Sequence, residues 1–575
     1  MLAACSEQEQ PGGDSGAATA DIVITNATVH TMNPAQPSAE AIAVRGNKIV
    51  YVGSADGAAE LVGDETEVLD ADGKMVLPGF ISAHDHLIAS RWLQPEFKLF
   101  EYNNRQEVLD AVVAYGEANP DLPVILGVGW SPAKLGGMPS RADLDALFPD
   151  RPVLLIDASA HEGWFNSAAL RESGVPADAP DRQPGITYWV RDDNGEMTGL
   201  AYEFQWLDLY LGLGLWNLEE QLPGLVSGFQ NLMPESGMTT FLAPGIALPS
   251  TATQDGQIAE FEYTMNYLAE LKAKGQLNSR VFASPMLKGA TTDIEELTEF
   301  AAQMAAQYDG DYLGVRGVKI HPEAGITTMN APFLTPYEGT DITGNFGVSP
   351  ERMLEMTMAA NERDLDIYIH VEGNASVRAA IDAFEASIEA GYQTRNSLHH
   401  LAFVTPEDYQ RIVDLDILVN ATPQFSTTNA GQGVYLPEML GEKRVNEQAG
   451  MYTDLAHDGV TISIAADVPS TPPSMVGPLY NMQVAMTITD PSDENAVPFP
   501  ASRKRLTLDQ ALLAVTIDAA KFLRLEDVLG SLEEGKLADI VVLGQDLRDV
   551  PADQIKDVPV NATIVDGQFR HREGI

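Results

Sequence analysis

His84 and His86 flank a single aspartate in Ser82-Ala-His-Asp-His86, directly after the apolar run Val76-Leu-Pro-Gly-Phe-Ile-Ser-Ala83. Residues two apart on an extended strand share a face, so both imidazoles project together. His370 ends the run Ile-Tyr-Ile, His399 and His400 follow Ser397-Leu398, and Asp467 ends Ile-Ala-Ala-Asp. Neutral imidazole and carboxylate are ligands suited to Zn²⁺, Mn²⁺ or Fe²⁺. An isolated His-x-His is ordinarily structural. Further histidines and an acid at later strand ends, in chain order, point instead to a metal site. His399 stands apart, because alternation turns it away from the face that carries His400, toward core or helix.

These side chains need a frame that brings distant strand ends together. Eight short apolar runs recur: Val76–Ala83, Thr239–Ala243, Val281–Ser284, Gly317–Ile320, Asp366–Ile369, Ser397–Leu401, Ile417–Ala421 and Val460–Ala465. Amphipathic stretches such as Ser376–Ala390 and Leu508–Leu523 fall between or after them. Strand and helix alternating eight times predicts an α/β fold of the (β/α)8, or TIM-barrel, kind, with functional groups at the C-terminal strand ends. The spacing is uneven once, between Ala83 and Thr239. Val124–Val128 and Val153–Asp157 are strand-like within that gap, which predicts an inserted subdomain over about residues 101–230. Alternating segments at both ends, Asp21–Thr31 and Ala41–Val52 early, Ala538–Leu543 and Val560–Gly567 late, predict a small composite β-sandwich. The expected division is therefore 1–20 as a tether, 21–78 plus 525–575 as the β domain, and 79–524 as the barrel.

Composition narrows the function classes. Of 575 residues, 45% are hydrophobic, enough for a large core, and 35 Lys plus Arg against 83 Asp plus Glu leave a formal charge of −48. A field of that sign repels phosphate backbones, so nucleic-acid binding is not expected. One cysteine excludes a disulfide framework and a cysteine zinc cluster. That cysteine, Cys5 in Leu2-Ala-Ala-Cys5, resembles a bacterial lipobox, and the polar stretch to Ala20 reads as a tether. The expectation is an exported lipoprotein, periplasmic or anchored at the outer membrane through lipid alone; the basic and apolar part of a signal peptide is missing before Leu2.

Leu77-Pro-Gly-Phe-Ile-Ser-Ala-His-Asp-His86 resembles the first-strand motif of the amidohydrolase superfamily, and Gly530–Leu543 resembles its C-terminal β signature. Gly129-Trp130, Pro149–Val153, His161 and Asn166–Leu170 are similar to amidohydrolase family 3, the branch containing N-substituted formamide deformylases. The resemblance spans about residues 20–570. It implies that His84, His86, His370, His400 and Asp467 bind one or two divalent ions, zinc foremost, with manganese or iron as alternatives. It implies a bridging role for Lys319, once its amine is carbamylated, since a bare ammonium cannot ligate a cation. His161, Glu203 and Trp130 match positions that line the family's pocket. The family usually has Asp-Gly after that lysine, whereas this chain has His321-Pro-Glu-Ala-Gly325. His321 shares the face of Lys319 if the strand runs on, as ligand or as substrate contact. The family more often has Glu-His where this chain has His399-His400.

The implied reaction is hydrolysis of a non-peptide amide, N-acyl or N-formyl bond of a small molecule by metal-activated hydroxide, with Asp467 as general base. The same residues suit a deaminase or an esterase or lactonase, and a lipoprotein that binds a ligand without turning it over is the rival of another class. Nothing in the sequence decides oligomeric state.

Overall fold

The computed structural model describes residues 19–88, 95–158, 161–184, 186–246, 249, 253–287, 291–326, 329–427, 436–471 and 473–575. The eight apolar runs all contain strands: β1 (Phe80–Ser82), β2 (Met238–Pro244), β3 (Arg280–Ser284), β4 (Gly317–Ile320), β5 (Asp366–Val371), β6 (Ser397–His400), β7 (Leu418–Ala421) and β8 (Ile462–Ile464). Nearly all of their residues are buried, as expected of parallel strands covered on both faces. β1, β2 and β3 pair in parallel and continue to Leu313–Val315. After Pro285, Met286–Leu287 pairs with β4, and β4 to β8 then pair in parallel one after another. This is a TIM-barrel-type α/β arrangement. Among the described residues, β8 and β1 form no ladder; the chain just beyond them is joined instead, His86 N donating to Val468 O at 2.8 Å.

The helices between strands begin where the sequence supplies caps. Thr253 accepts from Gly256 N ahead of Gln254–Ala273, and Ser349 accepts from Arg352 N ahead of Pro350–Asn361, with proline in the first turn. The stretch Leu508–Leu523 was expected as one helix and forms two, Leu508–Ala514 and Ile517–Lys521. Between them the Val515 carbonyl accepts from Ile81 N of β1 at 2.8 Å. A tertiary bond there takes the carbonyl that a continuous helix would use internally.

The two ends of the chain share a six-stranded sheet, in which Ile540–Leu543 pairs with Met75–Pro78. A four-stranded sheet lies beside it, with Gly46-Asn47 turning between Ala41–Arg45 and Lys48–Gly53, Gly46 at φ +57°. Arg280 of β3 joins the barrel to the terminal sheet: it makes two hydrogen bonds of 2.9 Å to Asp539 and one of 2.8 Å to Asp566, fully buried over the Tyr312 ring. Residues within 97–202 build a separate mixed six-stranded sheet. Among the described residues, no helix is long and apolar enough to cross a membrane.

Candidate metal centre

β1 ends at Ser82, so His84 and His86 stand just past its C-terminal end. Asp467 stands just past β8, and His84 Nε2 and His86 Nε2 lie 3.3 and 3.5 Å from its Oδ1. His400 ends β6, its ring centroid 4.6 Å from that of His84 and 4.5 Å from that of His370 at the end of β5. His321 stacks on His370 at 4.2 Å. The ligand atoms of His84, His400 and Asp467 all lie within 4.8 Å of one another, and the three residues are buried. His370 and His321 extend the row of rings outward from this group.

The residues between the histidines hold the cluster in place. His86 Nδ1 lies 2.8 Å from the Gly245 carbonyl, which can only accept, so Nδ1 carries the proton and Nε2 is left with a lone pair. His400 Nδ1 lies 2.9 Å from the Thr422 hydroxyl. Asp85, between the two first-strand histidines, accepts from Ser82 Oγ at 2.5 Å and from Val468 N at 2.9 Å. It thereby ties the end of β1 to the loop carrying Asp467. Sequence reasoning passed over Asp85, although its place within His-Asp-His was visible.

Several residues around this cluster have left-handed backbone. His400, Leu401 and Asp467 have φ of +71°, +46° and +56°, and Glu203 and Phe204 have +50° and +65°. Left-handed non-glycine residues cost about 1–3 kcal/mol each and tend to gather at functional sites. The turn at His400 also changes the expectation for His399. In β5 and β6, His370 pairs with His399 rather than with His400, so His399 is the residue that shares the face of His370. The left-handed backbone then swings the His400 ring back onto that side. His399 is therefore a buried core residue, as expected, but on the other face: it lies beneath His84, its Nδ1 2.6 Å from His84 Nδ1.

Lys319 of β4 is 2% exposed and its Nζ makes no hydrogen bond. Burial brings this amine down to about 7 and pushes the Asp467 carboxyl up to about 7, against the attraction between them. Burial, and after it the Lys319 charge, holds His84, His399 and His400 well below the usual imidazole range. The histidines are thus neutral, the form that binds metals. His84 Nε2 and Asp467 Oδ1 are likewise buried without a hydrogen bond. A buried polar atom left unpaired costs about 1–3 kcal/mol, and an absent ion is one recognised reason for such atoms. The donor set of imidazoles, carboxylate and amine fits a divalent cation.

His161 and Glu203 meet each other, His161 Nδ1 lying 2.8 Å from Glu203 Oε2. Glu372, two residues beyond His370, is pushed up to about 7 by burial, and its Oε1 lies 3.9 Å from His370 Nε2. Glu162, buried beside Asp157, is pushed up to about 8. Neither acid had a motif to announce it. Trp130 is placed elsewhere: its indole N–H donates to Leu155 O at 3.0 Å and its ring packs edge-on against Trp164 in the core of the mixed sheet. A saturated donor in an apolar core makes it a packing residue, not a pocket wall. Cys5 lies outside the described residues.

Residues 67–571 match the amidohydrolase family. The protein LONG AFTER FAR-RED 3 of Arabidopsis thaliana is 26% identical over 558 residues, 96% of this chain and 91% of that protein. The N-substituted formamide deformylase of Arthrobacter pascens is 25% identical over 562 residues, 96% of this chain and 98% of the enzyme. A metal-dependent hydrolase from Pyrococcus horikoshii OT3 has a solved structure that aligns with a TM-score of 0.69 at 20% identity, over 92% of this chain and 99% of that one.

Proposed function

The chain belongs to the amidohydrolase family, and from that premise we propose that it is a metal-dependent hydrolase that cleaves a non-peptide C–N bond: an amide, N-acyl or N-formyl linkage. The observation that carries the reading is the pair His84 Nε2 and Asp467 Oδ1, buried, 3.3 Å apart and without hydrogen bonds. His84, His86, His370, His400 and Asp467 would hold the metal, zinc in the first instance, with Lys319 as a further ligand once carbamylated. Bound there, a divalent ion supplies water of lowered pKa, from about 15.7 to about 7, and Lewis acidity toward an acyl oxygen.

The remaining chemistry falls to the protein. Asp467 accepts the proton released from water and returns it to the departing nitrogen. Its position against both first-strand histidines supports that role. The buried Lys319 amine, when neutral, has the lone pair that adds to CO₂ and loses one proton in forming a carbamate. His161, paired with Glu203, and His321, stacked on His370, line the approach and orient the substrate. We also read the chain as a barrel over 79–524 carrying an inserted subdomain and a β domain made from both ends, a division supported by the pairing of Ile540–Leu543 with Met75–Pro78.

The test is a panel of formamides, N-acyl amino acids, aryl amides, lactones and ring amidines, assayed with Zn²⁺ or Mn²⁺ added. Turnover of the formamides or acyl amines above the others is the expected result. Preference for lactones or amidines would move the assignment to an esterase or a deaminase. Absence of any stoichiometric divalent ion, together with no turnover, would overturn it in favour of a binding protein.

A further inference from the structure

We propose that His399 is a positioning residue for the metal centre: its Nδ1 accepts a hydrogen bond from His84 Nδ1–H while its own Nε2–H donates to Ser397, holding His84 in the tautomer that can ligate a metal. The proposal rests on the reading of His84 as a ligand. His84 Nδ1 and His399 Nδ1 are 2.6 Å apart, and His399 Nε2 is 2.9 Å from Ser397 Oγ. Both histidines and Ser397 are fully buried. Two neutral imidazoles at that distance share one proton, one ring donating and the other accepting.

Only two arrangements of this chain exist. In one, the Ser397 hydroxyl donates to His399 Nε2 and His399 Nδ1–H donates to His84 Nδ1. The His84 proton is then on Nε2, the atom facing Asp467 at 3.3 Å, and that nitrogen has no lone pair for a cation. In the other, His84 Nδ1–H donates to His399 Nδ1, and His399 carries its own proton on Nε2, donating to Ser397 Oγ. His84 Nε2 then presents a lone pair toward Asp467. Metal ligation through Nε2 therefore requires the second arrangement, and His399 must stand in its Nε2–H form.

His86 and His400, two of the other ligand histidines, have partners of a different kind. The Gly245 carbonyl beside His86 can only accept, and the Thr422 hydroxyl beside His400 takes either role by rotation. His84 is fixed by a group that has its own tautomer to choose, and that choice depends in turn on Ser397. Hydrogen-bond partners of ligating histidines typically change metal affinity about 10–100-fold when removed. Because His399 shares the face of His370 in the strand pairing, its ring is held beneath His84 by the Tyr368 and Phe522 rings, with centroids 5.6 and 6.2 Å away. Its orientation is set by packing before any metal arrives.

The experiment titrates the metal-free full-length protein with Zn²⁺ against a chromophoric chelator, for the wild type, H399F, H399N and S397A. Phenylalanine keeps an aromatic ring but cannot accept; asparagine restores an acceptor oxygen at the position of Nδ1. H399F is expected to bind Zn²⁺ about 10–100-fold more weakly, with H399N returning most of that loss and S397A falling between. Thermal midpoints of the metal-free forms separate this from damage to folding. Wild-type affinity in H399F, or equal loss in H399N and H399F at unchanged midpoints, would overturn the proposal. Histidine ¹⁵N spectra of the zinc-loaded wild type test it without any variant: His399 should carry its proton on Nε2, and a proton on Nδ1 refutes the assignment. A wild type that binds no Zn²⁺ would sink the metal reading itself, a result distinct from a failure of His399 alone.

Discussion

Asp467→Asn should make the metal-free protein more stable while removing its activity. The wild-type carboxyl is buried, and burial raises it from 3.8 to about 7 in the folded chain. A group raised in this way contributes stability that is fully present below the unfolded value and lost as pH climbs through the folded one. At about 1.4 kcal/mol per pH unit, a rise of this kind makes the ionised carboxylate cost a few kcal/mol above neutrality. The attraction of Lys319 is already contained in that rise, and asparagine carries no charge to desolvate. The assay is urea unfolding of both metal-free proteins at roughly pH 4, 7 and 9. The variant's advantage should be small at the acid end, grow to neutrality and then stay level. In the metal-loaded protein the same substitution should lower kcat by about 10²–10⁴-fold, the usual size of a general-base contribution. A stability difference that does not change with pH, or a wild type more stable at every pH, would refute the desolvation argument. Near-normal turnover would refute the role as base.

Other consequences can be measured separately. Arg280→Met leaves Asp539 buried without its bidentate partner, so denaturant unfolding should show a loss of about 3–5 kcal/mol. Adding Asp539→Leu should recover part of this, and no recovery would mean that Arg280 acts through packing on Tyr312 instead. Chelation should abolish hydrolysis and lower the thermal midpoint, with Zn²⁺ or Mn²⁺ restoring both; activity that survives metal-free preparation contradicts the centre described above. Glu203→Gln removes the carboxylate facing His161, and should raise KM several-fold with a smaller effect on kcat; an unchanged KM argues against a role in substrate binding.

The sequence alone carried the repeating frame and most of the candidate ligands. A parallel strand covered on both faces must be a short apolar run, so all eight runs were visible by composition, and polar residues interrupting their C-terminal ends could be read off directly. Pairing of the two chain ends was likewise legible in their alternation. What depended on backbone sign or on the hydrogen-bond partner of a single side chain was not. Alternation assigned His399 to the wrong side, because one residue with φ of +71° at His400 breaks the period of two. Asp85 stood in plain view within His-Asp-His, but its role comes from Val468, 383 residues away; Glu372 has no motif of its own, and its setting is assembled from separate strands. Trp130 sat in a recognisable motif, and only the direction of its indole N–H toward Leu155 showed that the motif there serves packing. Residue types and their order thus determined which atoms were available for ligation. Tertiary structure decided which of them face one another, because that depends on φ at single turns and on bonds between strands far apart in the chain.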